Sequence, residues 1–178
     1  MRTYELCSIA VQQNGNLLKY IPKKVLTNDL CSMAVQQNGL AIQYIYKCSF
    51  IRTSRYTYER KYKFYIDITY NLCQLAIRQN AYAIKYIPEE FKTYDLCLIA
   101  VQQNAYAIKY IPEKFKTYDL CLIAVQQNGL LLEFIPEKIL NYDLCLIAIR
   151  QNKLALEFVP KKLKSYDLYC IKIDLIKV

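Results

Sequence analysis

One pattern of apolar and polar positions recurs along the chain. The string LCxxA[VI]xQN begins at Leu6, Leu30, Leu72, Leu96, Leu120 and Leu144, at intervals of 24, 42, 24, 24 and 24 residues. The long interval holds an 18-residue insertion, 42 minus 24. A further start at Leu168 diverges almost at once. The copy from Thr93 to Lys116 shows the elements the pattern predicts. Thr93 is placed to cap a helix, and its slot holds Thr3, Thr27, Thr69, Thr117, Asn141 and Ser165 in the other copies. An acid follows two places on (Glu5, Asp29, Asp95, Asp119, Asp143, Asp167), where the helix dipole favours negative charge; Asn71 is the exception. The first helix runs through Leu96, Cys97, Ile99, Ala100 and Val101. It turns Leu98 outward, since that slot also accepts Ser8, Ser32 and Gln74, and Gln102 outward, since that slot accepts Arg78 and Arg150.

Asn104 ends the helix, and its slot is Asn in all six copies. The following residue is Gly15, Ala81 or Lys153 in different copies, so the expectation is that the Asn itself takes the left-handed conformation. A second helix of about two turns follows, with Ala107, Ile108 and Ile111 on one face. Pro112 stops it. Pro-Glu-Lys-Phe then forms a turn whose Phe115 tucks beneath the next helix.

A unit of 24 residues is too small to fold alone, since chains below about 40 residues rarely bury enough surface. Stacked copies solve that problem. The fold class is therefore all-α, an α-solenoid of short helix-turn-helix repeats. The array runs 1–178, with repeats at about 3–26, 27–46, 69–92, 93–116, 117–140 and 141–164. The insertion is 47–68 and a C-terminal cap 165–178. Runs such as Tyr-Ala-Ile-Lys-Tyr-Ile also suit a strand, which makes a β-solenoid the runner-up.

Composition narrows the chemistry. Hydrophobic residues are 54% of the chain and charged residues 22%, which excludes a disordered tail. Without His, the Ser-His-Asp and Cys-His nucleophile systems, HExxH metal sites and Cys₂His₂ fingers are excluded. With 3 glycines there is no Gly-rich phosphate cradle. Of the 8 cysteines, Cys7 and Cys31 are 24 residues apart, as are Cys73, Cys97, Cys121 and Cys145 in series. One thiol per repeat reads as a buried structural residue, because stacked helices sit about 8–10 Å apart, beyond disulfide reach. No apolar run approaches a membrane span, and the first residues lack a signal-peptide core. A soluble intracellular chain is the expectation.

The stretch LCLIAVQQNAYAIKYIPEKFKTYD, residues 96–119, resembles the repeat called domain of unknown function 4116. The likeness extends over nearly the whole chain except 47–71 and the last ten residues. Such repeats are numerous in giant viruses of the mimivirus group and also occur in some bacteria and protists, so the resemblance implies host cytoplasm as the setting if the chain is viral. It implies no catalytic residue and no cofactor.

Binding remains to be placed. The recurring Gln (Gln13, Gln37, Gln79, Gln103, Gln127, Gln151) could grip an extended peptide, but bonding the neighbouring repeat's backbone explains its recurrence better. The slot of Tyr20, Tyr44, Tyr86, Tyr110, Phe134 and Phe158 swaps phenol for phenyl and so reads as packing. A second row, Tyr94, Tyr118, Tyr142 and Tyr166, is expected to pack at the start of the first helix. Residues 47–71 depart most: six bases against two acids give +4 of the total +9. Within 47–65, Arg52, Arg55, Arg60, Lys61 and Lys63 interleave with Tyr56 and Tyr58, where bases supply phosphate contacts and aromatics supply stacking. A decayed, solvated loop is the plainer reading of that segment. One further slot changes sign along the array: Lys19, Gln43, Lys85 and Lys109, then Glu133 and Glu157. The first expectation is a non-enzymatic scaffold for an unknown protein partner, without metal, cofactor or small-molecule substrate. The alternative is nucleic-acid binding through 47–65. An enzyme built on Glu89, Glu90 or Asp95 ranks third, because capping and turn slots already explain those acids.

Overall fold

The computed structural model describes residues 2–49 and 69–165. The chain divides into two compact units, Met1–Lys92 and Thr93–Val178. In the first unit are α1 (Arg2–Gln13), α2 (Asn28–Gln37), α3 (Ile42–Ser49) and α4 (Tyr70–Gln79). In the second are α5 (Tyr94–Gln103), α6 (Tyr118–Gln127) and α7 (Tyr142–Gln151). Among the described residues every regular element is helical, and the fold is an all-α repeat fold.

The capping slot behaves as the sequence predicts in five copies. The oxygens of Thr27, Thr69, Thr93, Thr117 and Asn141 accept from the amides of Leu30, Leu72, Leu96, Leu120 and Leu144 at 2.9–3.3 Å. Thr3 departs from the pattern, because α1 already begins at Arg2 and Thr3 lies inside it. From each cap the helix runs ten residues, burying Leu, Cys, Ala and Val or Ile at slots such as Leu120, Cys121, Ala124 and Val125. These sit at i, i+1, i+4 and i+5, the stripe expected of a core-facing helix. The Gln102 slot is exposed as expected, whereas Leu98, Leu122 and Leu146 are half-buried rather than turned fully outward.

The recurring Asn is not left-handed. Its φ lies between −147° and −155°, with ψ between 105° and 116°, which is extended backbone. It joins two helices instead. The backbone N–H of Asn128 closes the last turn of α6 on Ala124, and its Oδ1 accepts from Leu130 at 3.0 Å. The same side-chain bond recurs at Asn14, Asn38, Asn80, Asn104 and Asn152. Asn makes this local bond readily, so it starts the second helix rather than simply ending the first.

The second helix is a 3₁₀ helix, not an α-helix: Gly15–Tyr20, Ala81–Tyr86, Ala105–Tyr110, Gly129–Phe134 and Lys153–Phe158. Six residues between Asn and Ile-Pro leave little room for α-helical bonding. A period of three brings Ala105, Ile108 and Ile111 to one buried face. After the proline a short 3₁₀ turn follows in several copies, as at Glu113–Phe115. The second copy differs because Tyr46 stands where the others have proline. Its 3₁₀ segment, Gly39–Ala41, passes directly into α3. Without proline, neither a missing donor nor the pre-proline restriction stops the helix.

Within each unit the repeats stack helix on helix, α1 on α2 and α2 on α4 in the first, α5 on α6 and α6 on α7 in the second. Glycine sets the closest approach. A Cβ on Gly15 would lie 2.3 Å from the carbonyl oxygen of Ala34, and one on Gly129 would lie 2.2 Å from that of Ala148. Gly39 meets Ala76 in the same way, at 2.2 Å. The Gly15 partner is 19 residues on and the Gly39 partner 37 residues on, and the difference is the 18-residue insertion. The second and third repeats therefore stack in the ordinary register despite the residues between them.

Candidate functional site

The most regular polar groups are those that join repeats. Gln37 accepts from the Gly15 amide at 2.7 Å and donates to the Gln13 carbonyl at 3.3 Å. Gln151 accepts from the Gly129 amide at 2.6 Å and donates to the Gln127 carbonyl at 3.2 Å. Gln127 accepts from the Ala105 amide at 3.2 Å and donates to the carbonyls of Val101 and Gln102 at 3.2 Å each. This amide is thus a clasp on the preceding repeat's backbone, and the peptide-gripping alternative falls away for these three residues. The Asn row adds links on the surface: Asn38 donates to Asn16 Oδ1 at 3.1 Å, and Asn128 to the Tyr106 hydroxyl at 2.7 Å.

The thiols form a second internal row. Cys31, Cys73, Cys97, Cys121 and Cys145 are buried and unbridged, and Cys7 is half-buried. Burial pushes the Cys73 thiol up to about 12 and those of Cys121 and Cys145 up to about 11. Such thiols stay protonated and are poor nucleophiles. Among the described residues no group of three or more Cys, Asp or Glu is placed to hold a metal ion. No described helix is long and apolar enough to cross a membrane.

The aromatic slot packs in part: Tyr20 is exposed, and Tyr44, Tyr86, Tyr110, Phe134 and Phe158 are half-buried. The sign-changing slot sits beside it and is exposed except at half-buried Gln43. In the first unit Lys19 lies 4.7 Å from the Tyr20 ring and Lys85 5.6 Å from the Tyr86 ring. In the second, Lys109 lies 4.3 Å from the Phe134 ring. These are cation–π distances that hold the bases on the aromatic edge. The other tyrosine row opens the helices: Tyr70, Tyr118 and Tyr142 are exposed rather than packed, and Tyr94 is half-buried.

The acids weighed for catalysis sit in separate structural places. Glu89 and Glu90 lie in the turn after Pro88, with Glu89 2.9 Å from Lys92 Nζ. Asp95 lies in the first turn of α5. Two surface pairs connect successive turns of the second unit, Glu137–Lys162 at 2.7 Å and Glu113–Lys138 at 3.9 Å. The Lys162 hydrogen bond holds the Glu137 carboxyl below its ordinary range. Both pairs are well exposed and contribute little stability.

Two features escaped the sequence. Lys92 is buried, and Lys116 is half-buried with its ammonium donating to the Phe134 carbonyl at 2.8 Å. Desolvation lowers the Lys116 pKa against the opposing pull of Cys121 and Glu113. The signal was weak, since the same slot holds Leu26 and Leu140, the composition of an amphipathic position. The second feature is an open depression of about 320 Å³ in the first unit, lined by Gln43, Lys85, Tyr86, Pro88, Glu89 and Lys92 among others. It lies between Gln43 of α3 and the turn after Pro88. In the second unit a Lys from such a turn, Lys116, reaches the carbonyl of Phe134, the slot of Tyr86. The basic and aromatic candidates Arg52, Arg55, Tyr56, Tyr58, Arg60, Lys61 and Lys63 lie outside the described residues, as does most of the cap, 166–178.

The clasped, capped stack defines an all-α repeat protein. The family model for the domain of unknown function DUF4116 matches residues 3–47, 71–116 and 117–164, and the chain belongs to that family. Each match spans about two of the 24-residue units, so the family's domain is a pair of repeats. Comparison with curated proteins and with solved structures finds no significant match to either.

Proposed function

We propose that the chain is a non-enzymatic repeat scaffold that binds another protein. The carrying observation is the tyrosine row at the helix starts of the second unit. Tyr118 and Tyr142 are each 38% exposed, and the core does not need them, because the same slot holds Asn28 in the first unit. They lie one repeat apart, about 10 Å at ordinary helix spacing. Tyrosine supplies large contact area with a polar tip and is enriched at protein interfaces. The non-enzymatic part of the reading is supported by the uses already found for the recurring polar groups: the Gln clasps, the Asn caps and the acids in helix first turns. Buried thiols in no disulfide support a reducing, intracellular setting. Host cytoplasm in a viral infection extends that reading through the family resemblance. A photo-crosslinking residue at position 118 or 142 is expected to capture a discrete protein, and Tyr118→Ser/Tyr142→Ser to abolish co-purification of that protein. Absence of any discrete crosslinked species in cells expressing the chain refutes the reading.

The +4 charge of residues 47–71 supports a second reading, nucleic-acid binding through Arg52–Lys63. Anisotropy of labelled single-stranded and duplex probes checks it. Salt-sensitive binding lost when 51–68 is deleted is the expected result, and binding that survives the deletion refutes it.

A further inference from the structure

The repeat helices of the two units differ on the face turned away from the core. On α6 that face carries Tyr118, Asp119, Leu122 and Gln126, opposite the buried Leu120, Cys121, Ala124 and Val125. α5 repeats the tyrosine and leucine as Tyr94 and Leu98, and α7 as Tyr142 and Leu146. In the first unit the leucine slot holds Ser32 on α2 and Gln74 on α4. A repeat helix therefore folds and stacks without an apolar residue there. On α5, α6 and α7 a leucine nonetheless stands one turn after a tyrosine, and each leucine is only half covered. Asp95, Asp119 and Asp143 are exposed beside these residues and join no ion pair among the described residues. The helix dipole accounts for the acids but not for the leucines.

We propose that this face of the second unit binds an amphipathic helix of the partner protein, one whose apolar stripe is flanked by lysine or arginine. The inference rests on the partner-binding reading above and gives that partner its chemistry. Spacing selects the helix. Stacked helices are about 10 Å apart, so the Tyr–Leu pairs of α5, α6 and α7 recur at that interval. Residues i and i+7 of a helix crossing them lie about 10.5 Å apart on one side. A β-strand returns to the same side every 6.6 Å or so, then at about 13 Å, and misses the interval. Charge selects the flank. A carboxylate on each of the three helices attracts a basic flank and repels an acidic one. The same row disfavours an anionic lipid surface. The apolar pairs supply contact area, and the acids set which helix is accepted.

Anisotropy of labelled peptides titrated with the full, reduced chain at near-physiological salt tests it. The probe is a designed helix about three heptads long, with leucines at seven-residue spacing and lysines beside them; a second probe replaces every Lys by Glu. The Lys probe is expected to bind at least about tenfold more tightly than the Glu probe, although the chain is +9 and its overall charge favours the reverse. Leu98→Ser/Leu122→Ser, which copies the residue of α2, is expected to weaken Lys-probe binding about tenfold with unchanged circular dichroism. Asp95→Asn/Asp119→Asn is expected to remove the preference for Lys. Equal binding of the two probes, no binding of either, or binding that survives the Ser variant overturns the proposal. A central proline that leaves the Lys probe's affinity unchanged overturns the helical occupant. Two other occupants are told apart by the same chain: binding that appears only when 51–68 is deleted gives the face to the chain's own basic segment, and a dimer lost in the Ser variant gives it to a second copy. Either result overturns the proposal. A protein captured by crosslinking at position 118 while both probes fail overturns this inference alone and leaves the partner-binding reading standing.

Discussion

Gly129→Ala separates two physical effects by their sign. None of the three glycines has a positive φ, so a side chain is excluded by space rather than by backbone conformation. In that case the ordinary expectation for Gly→Ala is stabilisation by about 0.4–1 kcal/mol, from lost freedom of the unfolded chain. The structure argues the reverse. A Cβ at 129 would stand 2.2 Å from the Ala148 carbonyl oxygen, 3.0 Å from its carbon and 3.1 Å from Gln151 Oε1. The obstacle is mostly backbone of a packed helix, so α7 must move away from the Gly129–Phe134 segment. Ala105 shows the cost of such accommodation: its amide lies 3.2 Å from Gln127, against 2.6 Å between Gly129 and Gln151. The clasp also shifts its donor bonds back to Val101 and Gln102. Overpacking costs about 1–3 kcal/mol and a stretched hydrogen bond a fraction of 1 kcal/mol. Net of the entropy gain, destabilisation is about 1–2 kcal/mol, or about 2–8 °C in Tm for a chain of this size. Chemical denaturation of wild type, Gly129→Ala and Ala105→Gly measures it. Neutral or stabilising Gly129→Ala refutes the close-approach argument.

Other outcomes follow from the same geometry. Gln127→Ala removes three inter-repeat bonds and is expected to cost about 1 kcal/mol, while Gln102→Ala on the exposed row stays within about 0.5 kcal/mol; paired urea titrations compare them. Cys73, Cys121 and Cys145 have folded pKa values of about 11–12 against an ordinary 9.0, so their contribution is complete below pH 9 and declines as pH rises through the folded values. Alkaline unfolding monitored by circular dichroism should therefore steepen above pH 9, and less so in Cys121→Ala. Lys116→Leu, which copies Leu140, is expected to raise stability at neutral pH, because burial disfavours the charged ammonium. That gain shrinks as pH approaches the ordinary lysine range. Deleting 51–68 restores the 24-residue interval and lowers the net charge from +9 to +6. The deleted chain is expected to keep its helical spectrum and protected thiols, and loss of either contradicts the in-register stacking of the second and third repeats.

The capping threonines, the buried cysteine row and the exposed Gln102 slot were all legible because each follows from a local rule repeated several times over. The Asn slot was misread for an instructive reason. The Gly or Ala that follows it has its cause in the next repeat's carbonyl, 19 residues away, and a reading confined to the helix end assigns the constraint to the wrong residue. The second helix was misassigned because six residues with apolar positions fit either helical period. Packing of Ala105, Ile108 and Ile111 on one face decided for the tighter one. The exchange of phenol for phenyl marked the first aromatic row as packing but did not say how much of each ring stays in water, and five of its six rings are half-buried.

Periodicity, caps and composition therefore determined by themselves that this is an all-α repeat chain of 24-residue units with the insertion between its second and third copies. These are properties of local segments, set by helix ends, proline and apolar spacing. Tertiary structure alone decided how closely the repeats approach, which side chains hold them, and that the register passes over the insertion. Those depend on where a carbonyl of one repeat meets the backbone of another, and no spacing within a single repeat encodes that distance.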